Sequence, residues 1–181
     1  IYAAGDINGR MMLVQSASAE ARLAVENALL GREKRFQHHV VPHGGFTDPE
    51  YGSVGLTEEK ARAAGHDVVT AVIDYNNLDR AVIDDRTQGF CKLVISRETH
   101  RILGAHIVGE QALESIQLVA AGMAADMWVE QLADLELAYP TFTAAVGLAA
   151  RQVVRELGVM PLAPQWRALG KPHAEWERRA G

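Results

Sequence analysis

Cysteine is almost missing from this sequence: Cys91 is the only one in 181 residues. A disulfide framework is therefore excluded, and a dithiol redox centre would need its second thiol from elsewhere. A signal-like stretch is missing too, as is any apolar run of about 18 residues, so no membrane span is expected and the cytoplasm is the expected compartment. Basic excess is missing as well. The net charge is −5, the pI is near 5.8, and the basic residues are scattered except in the last dozen positions, so nucleic acid is not an expected partner. There is no internal repeat and no low-complexity tract. An initiator methionine is also missing: the sequence opens on Ile1-Tyr2-Ala3-Ala4-Gly5-Asp6, which reads as a short apolar strand ending in Gly-Asp. A strand buried on both faces needs neighbours, so the expectation is the rear portion of something larger.

What is present suffices for a folded core. Hydrophobic residues make up 48% and charged residues 23%, which argues for one domain of ordinary size and against disorder. From Met12 to Leu30 apolar and alanine residues recur every three or four positions up to Gly31, a helix with a glycine at its C-terminus. The charged stretch Gly31 to Arg35 reads as a linker, with the domain boundary between 33 and 40. Phe46 to Gly52 reads as a strand end and turn, and Ser53 to Leu56 as a return to strand. Thr57 then caps a short helix whose first turn carries Glu58 and Glu59, with Gly65 closing it.

Three β-branched, apolar runs follow: Val68–Tyr75, Gly89–Ser96 and Arg101–Val108. Short polar connections between them predict an antiparallel meander. Glu110–Met127 carries a seam of Leu113, Ile116, Ala120, Met123 and Met127, at home either in an intradomain core or between subunits. A last helix is predicted over Thr141–Leu157. Beyond it, residues 161–181 form a polar tail with Trp166 and Trp176. Strands first and helices packed behind them give an α+β fold, an antiparallel β-sheet backed by helices.

Six motifs stand in a characteristic order: Ile1 to Asp6; Phe46 to Glu50; Ser53-Val54-Gly55-Leu56-Thr57-Glu58-Glu59-Lys60-Ala61; Gly89-Phe90-Cys91-Lys92-Leu93-Val94; Ile102 to Gly109; and Tyr139-Pro140-Thr141. In this order the sequence resembles the pyridine nucleotide-disulfide oxidoreductases, the family of glutathione reductase, dihydrolipoamide dehydrogenase and mercuric reductase. The resemblance implies residues 1–35 as the last strand and helix of a truncated FAD-binding domain, 36–160 as a dimerisation (interface) domain, and 161–181 as a tail without a counterpart. It implies FAD and NAD(P)H in the full-length parent, a homodimer formed through an isologous contact, and FAD and NAD domains of its own chain that this sequence does not contain.

The resemblance also assigns candidate residues. Gly5 and Asp6 fall where the family holds the ribityl chain of FAD, a role that suits an acceptor-only carboxylate. Val14 falls at the start of the helix whose amides face the flavin pyrimidine edge. Tyr139 falls where many members carry a catalytic histidine, and Ala144 and Ala145 where an orienting glutamate is expected. The histidine-glutamate dyad is therefore absent, and a phenol with an ordinary pKa near 10 is no base at neutral pH. Mercuric reductases also have tyrosine here, but they rely on a C-terminal cysteine pair that this sequence lacks. Tyr139 is expected either to pack and hydrogen-bond at the subunit interface or to touch substrate.

Other candidates read as structural. Cys91 is expected to be a buried small hydrophobe. His38, His39 and His43 are read as loop residues without a defined metal site, and His106 as a satisfied strand residue. Two functional classes remain open. One is part of a flavoprotein that moves electrons from NAD(P)H through FAD to a disulfide, quinone, metal ion or other acceptor. The other is a dimerisation module that keeps the fold without thiol chemistry. In either case the isolated chain is expected to be catalytically silent.

Overall fold

The computed structural model describes residues 1–36 and 40–159. Its elements run in the order α1 (Val14–Leu30), β1 (His43–Gly45), β2 (Tyr51–Gly55), α2 (Glu58–Ala63), β3 (Val68–Asp74), α3 (Asp79–Ile83), β4 (Phe90–Ser96), β5 (Ile102–Val108), α4 (Ala112–Ala124), α5 (Val129–Ala133) and α6 (Ala144–Glu156). Single 3₁₀ turns span Asp6–Asn8 and Tyr75–Asn77.

The five strands form one antiparallel sheet in the order β1-β2-β5-β4-β3. The expected meander is the β3-β4-β5 half, and β2 then adds to the far edge of β5. Alternation along the strands sorts side chains to two faces. Val54, Val69, Ala71, Cys91, Leu93, Ala105 and Ile107 point to one face, where α4, α5 and α6 cover them with Ile116, Val119, Leu132, Val146, Ala149 and Val153. α4 lies against β2 and β5, and α6 against β3 and β4. On the other face the short α2 buries Ala61 against Val68 and Val94. Of the seam, Ile116 and Ala120 are buried in the intradomain core, with Met123 and Met127 packed beside them, while Leu113 is half-buried and lies outside that cluster.

Local chemistry accounts for the element ends. Thr57 Oγ1 accepts from Lys60 N at 3.2 Å, and Arg62 reaches back to Glu58 at 3.0 Å, so α2 holds at six residues. Gly104 has to be glycine for a reason of contact: a Cβ there would lie 2.2 Å from the Leu56 carbonyl oxygen, on the backbone that pairs with Leu103 at 2.8 Å. The β4–β5 turn puts His100 at φ +57, the left-handed region that costs a side-chain-bearing residue roughly 1 kcal/mol. Its imidazole bonds to Glu130 and its carbonyl accepts from Val129 N at 3.0 Å, which fastens the turn to α5.

The expected strand over Ile1–Asp6 is not formed. Residues 1–4 have no regular structure, Ile1 and Tyr2 are exposed, and Asp6 opens a 3₁₀ turn. A strand exists through hydrogen bonds to a neighbour, and among the described residues none pairs with these. α1 runs Val14–Leu30 with Gly31 as its C-terminal cap, starting two residues later than the periodicity from Met12 suggests. Its burial is inverted, however: Ser16, Glu20 and Asn27 are buried while Val14, Val25, Leu29 and Leu30 are exposed. The linker folds back on it, with Asn27 Nδ2 donating to the Lys34 carbonyl at 2.9 Å. His38, His39, Trp166, Trp176 and the tail beyond 159 lie outside the described residues.

Candidate functional site

The Gly5–Asp6 turn is held to α1 by one buried carboxylate. Glu20 accepts from Gly5 N at 2.7 Å and from Asn8 Nδ2 at 2.7 Å. Gly5 sits at φ +80, where glycine pays no Cβ penalty, and it is itself buried. Asp6 next to it is exposed. Its carboxylate therefore stands at the surface of a turn fixed from beneath. Glu20 lies six positions from Val14, about 9 Å along the helix, so the turn and the start of α1 belong to one unit. Val14 is exposed, and the first amides of a helix have no intrahelical acceptor. In the same first turn Ser16 is buried, and its hydroxyl has no hydrogen-bond partner among the described residues.

Tyr139 stands apart from this turn in the sequence and in its surroundings. Its side chain is 77% exposed, and its hydroxyl donates to Asp79 Oδ2 at 2.7 Å. Together with Asn77, Arg80, Pro140, Thr141, Leu148 and Arg151 the two line a cleft of about 220 Å³. Thr141 Oγ1 donates to the Ala138 carbonyl at 2.8 Å, fixing the loop. The hydrogen bond to Asp79, and then its negative charge, hold the Tyr139 phenol above its ordinary pKa of 10.0, because ionisation would set two anionic oxygens side by side. Positions 144 and 145, where an orienting carboxylate was sought, are alanines at the start of α6. The carboxylate that stands beside Tyr139 is that of Asp79, 60 residues earlier. No local sequence signal links the two.

The remaining candidates are structural. Cys91 is fully buried, and burial pushes its thiol up to about 12, far from the thiolate that redox or nucleophilic chemistry needs. His106 is satisfied at both nitrogens. Nε2 donates to the Leu56 carbonyl at 3.1 Å, and so Nδ1 accepts from Ser53 Oγ at 2.7 Å. Burial lowers its pKa, the hydrogen bond to Leu56 works against that, and the positive charge of nearby Lys92 adds to the lowering. His43, expected in a loop, instead opens β1 and pairs with Ser53; its ring bonds to the Val41 carbonyl at 3.3 Å, and among the described residues no cluster of three or more His, Cys, Asp or Glu could hold a metal. No described helix is long and apolar enough to cross a membrane.

Comparison with known proteins adds the family. The profile of the pyridine nucleotide-disulphide oxidoreductase dimerisation domain matches residues 41–150. Mercuric reductase from Lysinibacillus sphaericus is 37% identical over 150 residues, which cover 83% of this chain and 28% of that protein. Dihydrolipoyl dehydrogenase 3 from Haloarcula marismortui is 34% identical over 159 residues, covering 88% and 33%. Among solved structures, the HOCl-induced flavoprotein disulfide reductase RclA from Escherichia coli superposes with a TM-score of 0.77 at 28% identity, covering 84% of this chain and 35% of that one. LpdA from Mycobacterium tuberculosis superposes with a TM-score of 0.76 at 28% identity, covering 84% and 33%. The chain thus spans about a third or less of the length of these relatives. With the profile matching across the sheet and its helices, the chain belongs to the pyridine nucleotide-disulphide oxidoreductase family, and residues 41–150 are its dimerisation domain.

Proposed function

We propose that this chain is the rear part of a flavoprotein that passes electrons from NAD(P)H through FAD to an acceptor, and that it supplies the dimer contacts and one wall of the acceptor site. The observation that carries this reading is the dimerisation-domain match over residues 41–150. Two further observations support it. The likeness to the curated relatives runs over 150 to 159 residues, beyond the span of the dimerisation profile. α1 also turns apolar residues outward, as a helix does when it is made to lie against another surface. Residues 1–35 are then the end of the FAD-binding domain, 36–160 the interface domain and 161–181 a tail.

The residues at the start of the chain suit a flavin. Asp6, exposed on a turn pinned by Glu20, can accept from ribityl hydroxyls. The exposed first turn of α1, from Val14, favours developing negative charge nearby. The orphaned Ser16 hydroxyl in that turn fits a site whose polar complement comes from outside the described residues. FAD, when bound, supplies the relay between a two-electron donor and the acceptor. Tyr139 forms part of the acceptor wall. With its pKa raised it does not serve as the base that a histidine would be. The chain is a homodimer, matching the isologous contacts of family interface domains. Alone it binds neither FAD nor nicotinamide tightly and is catalytically silent, and its compartment is the cytoplasm.

The test is anaerobic mixing of the whole polypeptide with NADH and with NADPH while the flavin's visible absorbance is followed. Bleaching by either nucleotide is expected. Purification without flavin, or flavin that neither nucleotide reduces, overturns the electron-transfer reading. A flavin titration on the 181-residue chain checks the second half: a dissociation constant below about 1 μM, some 8 kcal/mol of binding, contradicts the silent-fragment claim.

A further inference from the structure

Asp79 and Tyr139 are brought together by buried packing behind them. Asp79 opens α3, and Leu78 just before it is 2% exposed. Four residues before Asp79, Tyr75 is fully buried, and its ring meets that of Phe142, three residues after Tyr139, at 5.6 Å between centroids and 30° between planes. The Tyr75 hydroxyl donates to the Glu110 carbonyl at 3.2 Å, anchoring that ring from its far end. The aromatic pair therefore clasps the two segments from inside, and the Tyr139–Asp79 bond closes them at the surface. The neighbouring cations are directed elsewhere: Arg80 Nε to Asp84 at 2.7 Å along its own helix, and Arg151 to the Ala133 carbonyl at 3.3 Å.

A phenol has one proton to give. With that proton directed at a carboxylate, the hydroxyl can only accept from whatever enters the cleft, and a charge-assisted bond of this kind is stronger and more directional than one between neutral groups. We propose that Asp79 is the positioning residue for Tyr139, accepting the phenol's one hydrogen bond and so leaving its oxygen turned towards the cleft as an acceptor, in the role for which positions 144 and 145 have no carboxylate. The inference rests on the reading of Tyr139 as part of the acceptor wall. It assigns to Asp79 no proton transfer and no contact with the acceptor itself.

Two measurements test it. In the 181-residue chain, with tyrosine rings labelled for NMR, the Tyr139 signal is identified by its loss in Tyr139→Phe. It should titrate above an ordinary phenol, fall towards one in Asp79→Asn, and recover in Asp79→Glu. A Tyr139 midpoint that is the same in Asp79→Asn as in the native chain overturns the positioning role. In the whole flavin-loaded polypeptide, with menadione as the probe acceptor, Asp79→Asn should raise KM by about threefold to tenfold, the span of a typical hydrogen bond. Flavin reduction by NAD(P)H should be unchanged, and on a Tyr139→Phe background Asp79→Asn should add nothing. A KM unchanged by Asp79→Asn, or an effect that persists in full without the Tyr139 hydroxyl, overturns the functional half. A flavin that NAD(P)H does not reduce overturns the acceptor-wall reading and that half with it, while the NMR titration still decides whether Asp79 holds Tyr139.

Discussion

Replacing Phe142 by alanine should do more than thin the core, because Phe142 is where the core grips the loop that carries Tyr139. The ring is 2% exposed and tilted against the fully buried Tyr75 at 5.6 Å. Removing a buried phenylalanine costs about 3–5 kcal/mol through lost transfer energy and the cavity left behind, of which the aromatic pairing accounts for about 0.5–1.5 kcal/mol. Domains are stable by about 5–15 kcal/mol, so the variant should fold, weakened, and remain measurable. With a urea m-value of about 2–3 kcal/mol/M, the unfolding midpoint should fall by about 1–2 M. Tyr75→Leu should cost less in the native protein and less still on the Phe142→Ala background, since its partner ring is already gone. The Tyr139 titration should shift towards that of a free phenol in Phe142→Ala, because the segment carrying Asp79 is no longer clasped. A stability loss under about 1.5 kcal/mol, or an unmoved Tyr139 titration in the folded variant, would refute the claim that this aromatic pair places Tyr139 and Asp79.

Three other outcomes follow from the structure. Cys91 should resist thiol reagents in the native chain and react only on unfolding, given full burial and a pKa near 12; labelling at the rate of a free thiol would show β4 to be open. His106 is held neutral in the folded state, with its pKa below the ordinary 6.5, so the unfolded chain binds more protons as pH falls through that value. Stability should therefore decline as pH falls through 6.5 towards the lowered folded value and level off below it, and His106→Gln should flatten the decline; urea midpoints that fall equally in both proteins would contradict this. Tyr139→His in the whole polypeptide should not create disulfide reductase activity, since positions 144 and 145 are alanines and an imidazole is shorter than the phenol that reaches the Asp79 carboxylate at 2.7 Å; robust thiol turnover in that variant would refute it.

The sequence made legible whatever is written in short stretches. Thr57, Glu58 and Glu59 announce the start of α2 through capping and dipole chemistry, and the structure places the cap bond on Thr57. The three apolar runs become β3, β4 and β5, all paired antiparallel; the tight turn between Ser96 and Ile102 leaves β4 and β5 no other pairing, whereas residues 75–89, which carry α3, join β3 to β4. Gly31 caps α1 as read, and the helix begins at Val14 rather than Met12. Elements too short for periodicity were missed: α3 and α5 have five residues each, little more than a turn, and tertiary contacts decide them. The apolar stretch Ile1–Asp6 misled because apolarity states a preference for burial, whereas a strand also needs a partner.

The candidate site was legible by position and not by pairing. Tyr139 could be singled out beside Pro140 and Thr141, but its carboxylate partner comes from across the fold, carried on α3 and set by Tyr75 and Phe142. Such pairings depend on which loops the core draws together. For the same reason the seam on α4 could not be assigned from its spacing, and only the fold shows Ile116 and Ala120 to be buried in the core.

The most direct test of the claim that this chain is a dimerisation domain is its mass in solution, by light scattering across a range of concentrations. A mass of twice the 19.7 kDa of one chain is expected, carried by an interface of standard size or larger. A mass of 19.7 kDa at every concentration would contradict it.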